Sequence, residues 1–103
     1  IHAPHLIDVE VTSALRRLVA RGEISADRGA DARSDASSLP FVHYPHAALL
    51  ERAWELRHQL SIQDGVYVAL AELLEMPLVT CDAGMARTHG SRADIELYRP
   101  LPS

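Results

Sequence analysis

Two aspartates, Asp64 and Asp82, with an acid from the first helix, are the groups of this sequence best placed to do chemistry. Asp64 falls in the first turn of an expected amphipathic helix, SIQDGVYVALAELLE, that opens at Ser61. Asp82 follows directly on Leu78-Val79-Thr80-Cys81, a run apolar enough for a buried strand. In open α/β sheets, ligands bind outside the carboxyl ends of the strands, which is where Asp82 would stand. Carboxylates meeting at strand and helix ends suit a hard cation such as Mg2+ or Mn2+, which takes oxygen ligands and keeps several waters.

Plain structural roles compete with that chemistry. Asp64 lies three residues after Ser61, as in a capping-box variant, and shares a polar arc with Glu72 and Glu75. Asp82 could be only the N-cap of a helix starting at Ala83. In the first helix, the stripe Ile7, Val11, Ala14, Leu15 and Leu18 leaves Asp8 and Glu10 on opposite flanks, so periodicity does not choose between them. The histidine pairs His2/His5 and His43/His46 each straddle a proline and lack the i, i+4 spacing of helical zinc motifs. Cys81 reads as a small buried side chain rather than a nucleophile. The sequence holds neither a glycine-rich phosphate loop nor a GxSxG elbow.

The elements that must position these acids fit one domain of 103 residues. A short strand over Ile1 to Ala3 is followed by a helix to about Arg21, closed by Gly22, and by a polar helix from Ser25 to about Leu39. Phe41 to Tyr44 reads as a strand. His46 to Leu60 reads as a helix with Leu49, Leu50, Ala53, Trp54 and Leu56 packing inward. Then come the Ser61 helix, the Leu78 strand, a helix from about Ala83 to His89, and a strand over Ile95 to Tyr98. Helices alternating with brief apolar strands indicate an α/β sandwich with a mainly parallel sheet.

Composition narrows the classes. No apolar run approaches the roughly 20 residues that span a bilayer, so no membrane helix is expected. A single cysteine and no secretion signal point to a reducing cytoplasm. The net charge of −4 argues against indiscriminate phosphate binding, though not against a nucleic acid held through metal ions. All ten basic residues are arginine, a bias best read as genomic composition.

Taken in order, PHLIDVEVTSALRRL, SIQDGVYVALAE and PLVTCDAGMAR resemble the PIN-domain ribonucleases, specifically the VapC-type toxins of toxin–antitoxin pairs. The resemblance covers essentially the whole chain. It places the family's helix glutamate on Glu10 and its aspartates on Asp64 and Asp82, as catalytic and metal-holding residues. Gly65 stands where the family usually has alanine, and Gly84 where a larger residue is common.

The family's first strand, which carries another catalytic aspartate, and the helix after it have no counterpart here. In the family that strand lies between those matched by Ile1 to Ala3 and by the strand ending at Cys81, and a sheet without it would leave backbone groups unpaired. The chain is therefore expected to be an N-terminally incomplete PIN-like three-layer α/β/α sandwich.

The implied function is a Mg2+- or Mn2+-dependent endoribonuclease toxin, homodimeric and neutralised by a cognate VapB-like antitoxin whose basic side chain enters the acidic site. Arg16, Arg17 and Arg87 are candidate RNA contacts, set against a plain role as solvated helix charges. The rival readings are a non-enzymatic PIN-like interaction module or inactive fragment, and a metal phosphohydrolase acting on small molecules.

Overall fold

The computed structural model describes residues 1–80 and 90–97. The chain forms two compact units, Ile1–Tyr44 and Pro45–Ser103. In the first, β1 (His2–Pro4) pairs in parallel with β2 (Val42–Tyr44), with His2 opposite Val42 and Pro4 opposite Tyr44. Parallel strands need a long crossover, and here it is a helical hairpin of α1 (Leu6–Ala20) and α2 (Ala26–Ser37).

Both hairpin turns are written in the sequence. After α1, Gly22 takes φ 73°, while the amides of Gly22 and Glu23 donate to the carbonyls of Val19 and Leu18, each at 3.0 Å. That Schellman pattern satisfies two terminal carbonyls. Ser25 caps α2 by accepting from the Arg28 amide at 3.1 Å. α2 stops at Ser37 rather than near Leu39, because Ser38 and Leu39 donate to carbonyls three residues back, tightening the chain before Pro40. Gly29 is buried where a Cβ would sit 2.6 Å from Val19 Cγ2, so its lack of a side chain lets α1 and α2 approach. The expected stripe of α1, Ile7, Val11, Ala14, Leu15 and Leu18, is half-buried throughout.

The second unit holds a 3-10 turn (His46–Ala48), α3 (Leu50–Glu55), α4 (Ile62–Leu74), β3 (Leu78–Thr80) and β4 (Ile95–Leu97). β3 and β4 pair in parallel, Leu78 opposite Ile95. The helix expected over His46 to Leu60 is shorter than its pattern. Leu56 ends it with its amide shared between Arg52 and Ala53, and turns carry the chain to Leu60.

Helical spacing nevertheless survives in what is buried, namely Leu49, Ala53, Leu56 and Leu60. Leu50 and Trp54, expected to pack inward, are instead 46% and 60% exposed. They lie one residue off the buried stripe, a step of about 100° that turns them to the outer flank.

Ser61 caps α4 as expected, its Oγ accepting from the Asp64 amide at 3.1 Å. Val68 joins Leu56 and Leu60 in the core, with Leu78, Ala93 and Ile95 packed against them. The fold is α/β with parallel strand pairs, of the class the sequence indicates. The helix expected over Ala83 to His89 lies outside the described residues, and among the described ones no helix is long and apolar enough to cross a membrane.

α4 comes close to α3 at Gly65, where a Cβ would lie 3.0 Å from Ala53 Cβ and 3.1 Å from its Cα. Restoring the alanine favoured by helix propensity gains up to about 1 kcal/mol. Overpacking of a tight contact costs about 1–3 kcal/mol. Gly65→Ala should therefore lower the urea midpoint, by about 1 kcal/mol net, and a raised midpoint would show that the contact relaxes freely.

Candidate active site

Glu10 sits in the second turn of α1, half-buried, and its side chain forms no hydrogen bond or ion pair with a described residue. Asp8, its rival on the other flank, is engaged. Its Oδ2 lies 3.0 Å from His43 Nε2 on β2, and the His43 ring stacks on His5 with centroids 5.4 Å apart. The Asp8 oxygen is out of line for a hydrogen bond with that nitrogen, so the contact becomes an ion pair only when His43 is protonated. Of the two acids flanking the α1 stripe, Glu10 is the one without such a contact among the described residues.

Asp64 is half-buried in the first turn of α4, its amide satisfied by Ser61. The helix dipole favours a carboxylate there whatever else it does. Asp82, Cys81 and Arg87 lie outside the described residues. Glu10 belongs to one compact unit and Asp64 to the other. Among the described residues, no three histidine, cysteine or acidic side chains are grouped to hold a metal. The donor chemistry nonetheless suits a hard cation: Glu10 is a partly desolvated carboxylate to which no described residue brings a positive charge.

Glu72 departs from the expected polar arc. Its side chain is only 3% exposed, and Arg52 from α3 grips both oxygens, through Nε at 2.7 Å and Nη2 at 3.1 Å. The Arg92 amide and the Ser91 hydroxyl donate to the same carboxylate, while Arg52 Nη2 also donates to the Gly90 carbonyl at 2.6 Å. α3, α4 and the segment leading to β4 are thereby tied at one point. Burial alone would push the Glu72 carboxyl up. Hydrogen bonds from Arg52 and the Arg92 amide, with the charges of both arginines, outweigh it and hold the group below the usual range. The sequence carried one sign of this, an acid between Ala71 and Leu73 in a helix otherwise largely apolar, but nothing naming a partner twenty residues back.

The PIN domain family profile matches residues 1–90. This chain belongs to the PIN-domain family. Ribonuclease VapC12 of Mycobacterium tuberculosis is 44% identical over 97 residues, which are 94% of this chain and 75% of the relative. Ribonuclease VapC1 of the same species is 43% identical over 102 residues, covering 95% and 74%. VapC ribonuclease Mb0985 of Mycobacterium bovis is 42% identical over 95 residues, covering 92% and 75%. The domain is thus of the VapC type, and the matched span contains Glu10, Asp64 and Asp82.

In this PIN domain, the buried Glu72 pair gives a pH-dependent stability. A lowered folded pKa contributes stability that is full above the unfolded value, about 4.3, and is lost as pH falls through the folded value. Glu72→Gln should lower stability near pH 7 by about 1–3 kcal/mol, since it leaves Arg52 with only the more exposed Glu55 as counter-charge. The gap to wild type should shrink as pH falls below about 4 and on through the lowered folded value, where both come to carry a neutral group. Urea titrations at pH 7 and below pH 4 check this, and a gap independent of pH would contradict it.

Proposed function

We propose that this PIN domain is the catalytic body of a metal-dependent endoribonuclease, the toxin of a toxin–antitoxin pair. One observation carries the reading: Glu10, Asp64 and Asp82 stand in the order and local settings of the family's acids, in a chain 44% identical to Ribonuclease VapC12. Glu10, Asp64 and Asp82 would hold the Mg2+ or Mn2+. A divalent cation, when bound, supplies a more acidic water and offsets charge on the phosphorane and leaving oxygen. Asp64 is held at its helix start by the Ser61 cap, which keeps its backbone oriented. Glu10, half-buried and without a described partner, contributes negative charge where a cation would neutralise it. No histidine is required as a base.

Among the described residues β1 pairs only with β2 and β3 only with β4. We propose an upstream strand, bearing the fourth aspartate, that adds to the β1 edge and completes the donor set. Arg16 and Arg17, both exposed on α1, are placed to meet an RNA backbone, with Arg87 as a third contact. A cognate VapB-like antitoxin would block the site with a basic side chain, since an arginine binds carboxylates bidentately. The toxin is expected to act as a homodimer in the cytoplasm.

RNA cleavage by the full-length protein with Mn2+ tests this. Glu10→Gln, Asp64→Asn and Asp82→Asn should each lower the rate by at least about a hundredfold, the scale of losing one charge-stabilising group. Asp8→Asn should cleave as wild type. Full activity in both aspartate variants of the site would remove it, and absence of cleavage by wild type would favour a binding module.

A further inference from the structure

The side chain least explained by folding is Trp54. Leu49, Ala53 and Leu56 already fill the core side of α3, and the indole stands 60% exposed beside Leu50, itself 46% exposed. An exposed tryptophan gives up most of the burial that would stabilise it, and such side chains are enriched where partners dock. A guanidinium is stacked on it, with Arg57 Cζ 4.4 Å from the ring centroid. Arg57 Nη1 also donates to the Trp54 carbonyl at 3.0 Å, which fixes the cation in that pose. Glu55 is turned to Arg52 at 3.2 Å and so does not neutralise Arg57, although Glu51 is exposed a turn away.

The pair also lies near a proposed catalytic acid within the same compact unit. Gly65 of α4 meets Ala53 at van der Waals distance. Trp54 and Asp64 are the chain neighbours of that contact, which puts their Cα atoms within roughly 12 Å of each other. That is a span of a few nucleotides.

We infer that Trp54 and Arg57 form a stacking platform for an unpaired base of the RNA, near the phosphate attacked at the Asp64 end of α4. The inference rests on the nuclease reading. Aromatic and guanidinium planes accept any base by its face, and the cation meets the neighbouring phosphate. A second copy of the chain is the poorer occupant. Across a two-fold interface centred on this face, the two Arg57 cations would be brought together, with the exposed Glu51 of each copy left to offset them.

Trp54 is the sole tryptophan of these 103 residues, and loss of the signal in Trp54→Phe assigns the fluorescence to this position. The full-length protein is titrated in Ca2+, without Mg2+ or Mn2+, with a ten-nucleotide single-stranded RNA of mixed sequence. Saturable quenching is expected, weaker with a blunt RNA duplex. By anisotropy of a labelled oligonucleotide, Trp54→Ala and Arg57→Ala should each weaken binding by about tenfold, with Trp54→Phe retaining most of it.

Absence of quenching, or wild-type affinity in the Trp54→Ala and Arg57→Ala variants, overturns the platform. A Trp54→Ala protein that changes oligomeric mass with unaltered RNA affinity overturns it too, in favour of a contact between copies. The two readings fail separately. Quenching without cleavage in Mn2+ would keep the platform and remove the nuclease, whereas Asp64-dependent cleavage with Trp54→Ala binding as wild type would do the reverse.

Discussion

A single buried charge holds the second unit of this PIN domain together. Glu72 cannot be taken out of water as a carboxylate without donors on both oxygens. Arg52, the Arg92 amide and Ser91 supply them. Because those donors come from α3 and from the segment before β4, satisfying one carboxylate fixes three pieces of chain at once. The tie is reinforced two turns earlier on the same face of α4 by Gly65 against Ala53, a contact that admits no extra atom without movement. Asp64 starts the helix held by these two contacts, so its position follows from them.

The same electrostatic rule governs the site in the opposite sense. Glu72 is neutralised from within the protein, whereas the half-buried Glu10 has no described residue to do this, while Asp8, two residues earlier, faces His43. The proposed function gives Glu10 a cation from solution as its counter-charge. The chain spans three quarters of the length of its relative Ribonuclease VapC12.

How much could be read in the sequence follows from the range of each interaction. The Ser25 and Ser61 caps, the Gly22 turn, the parallel α/β class and the family were legible, because short-range chemistry or an ordered set of motifs fixes them. The length of α3 was not, since Leu49, Ala53, Leu56 and Leu60 keep helical spacing after the helical ladder has ended. Leu50 and Trp54 were misplaced for a related reason: in a short helix with many apolar residues, hydrophobicity alone does not mark which flank meets the core. Glu72 was taken for a surface acid because its partner, Arg52, is remote in sequence. Of the site itself, the sequence leaves Asp8 and Glu10 undecided, and the family pattern alone favours Glu10. Asp82 lies outside the described residues, so its place beside the others rests on the family pattern alone.

The proposed function depends on acids from separate parts of the chain serving one ion. Titration of the full-length protein with Mn2+, followed by electron paramagnetic resonance, measures that directly. A shared site predicts that Glu10→Gln and Asp64→Asn each weaken Mn2+ binding by more than about tenfold, the loss caused by outer-sphere partners alone. The double variant should then be little worse than either single one, because the ion is already lost. Wild-type Mn2+ affinity in either single variant, or losses that simply add, would mean that Glu10 and Asp64 do not hold the same ion.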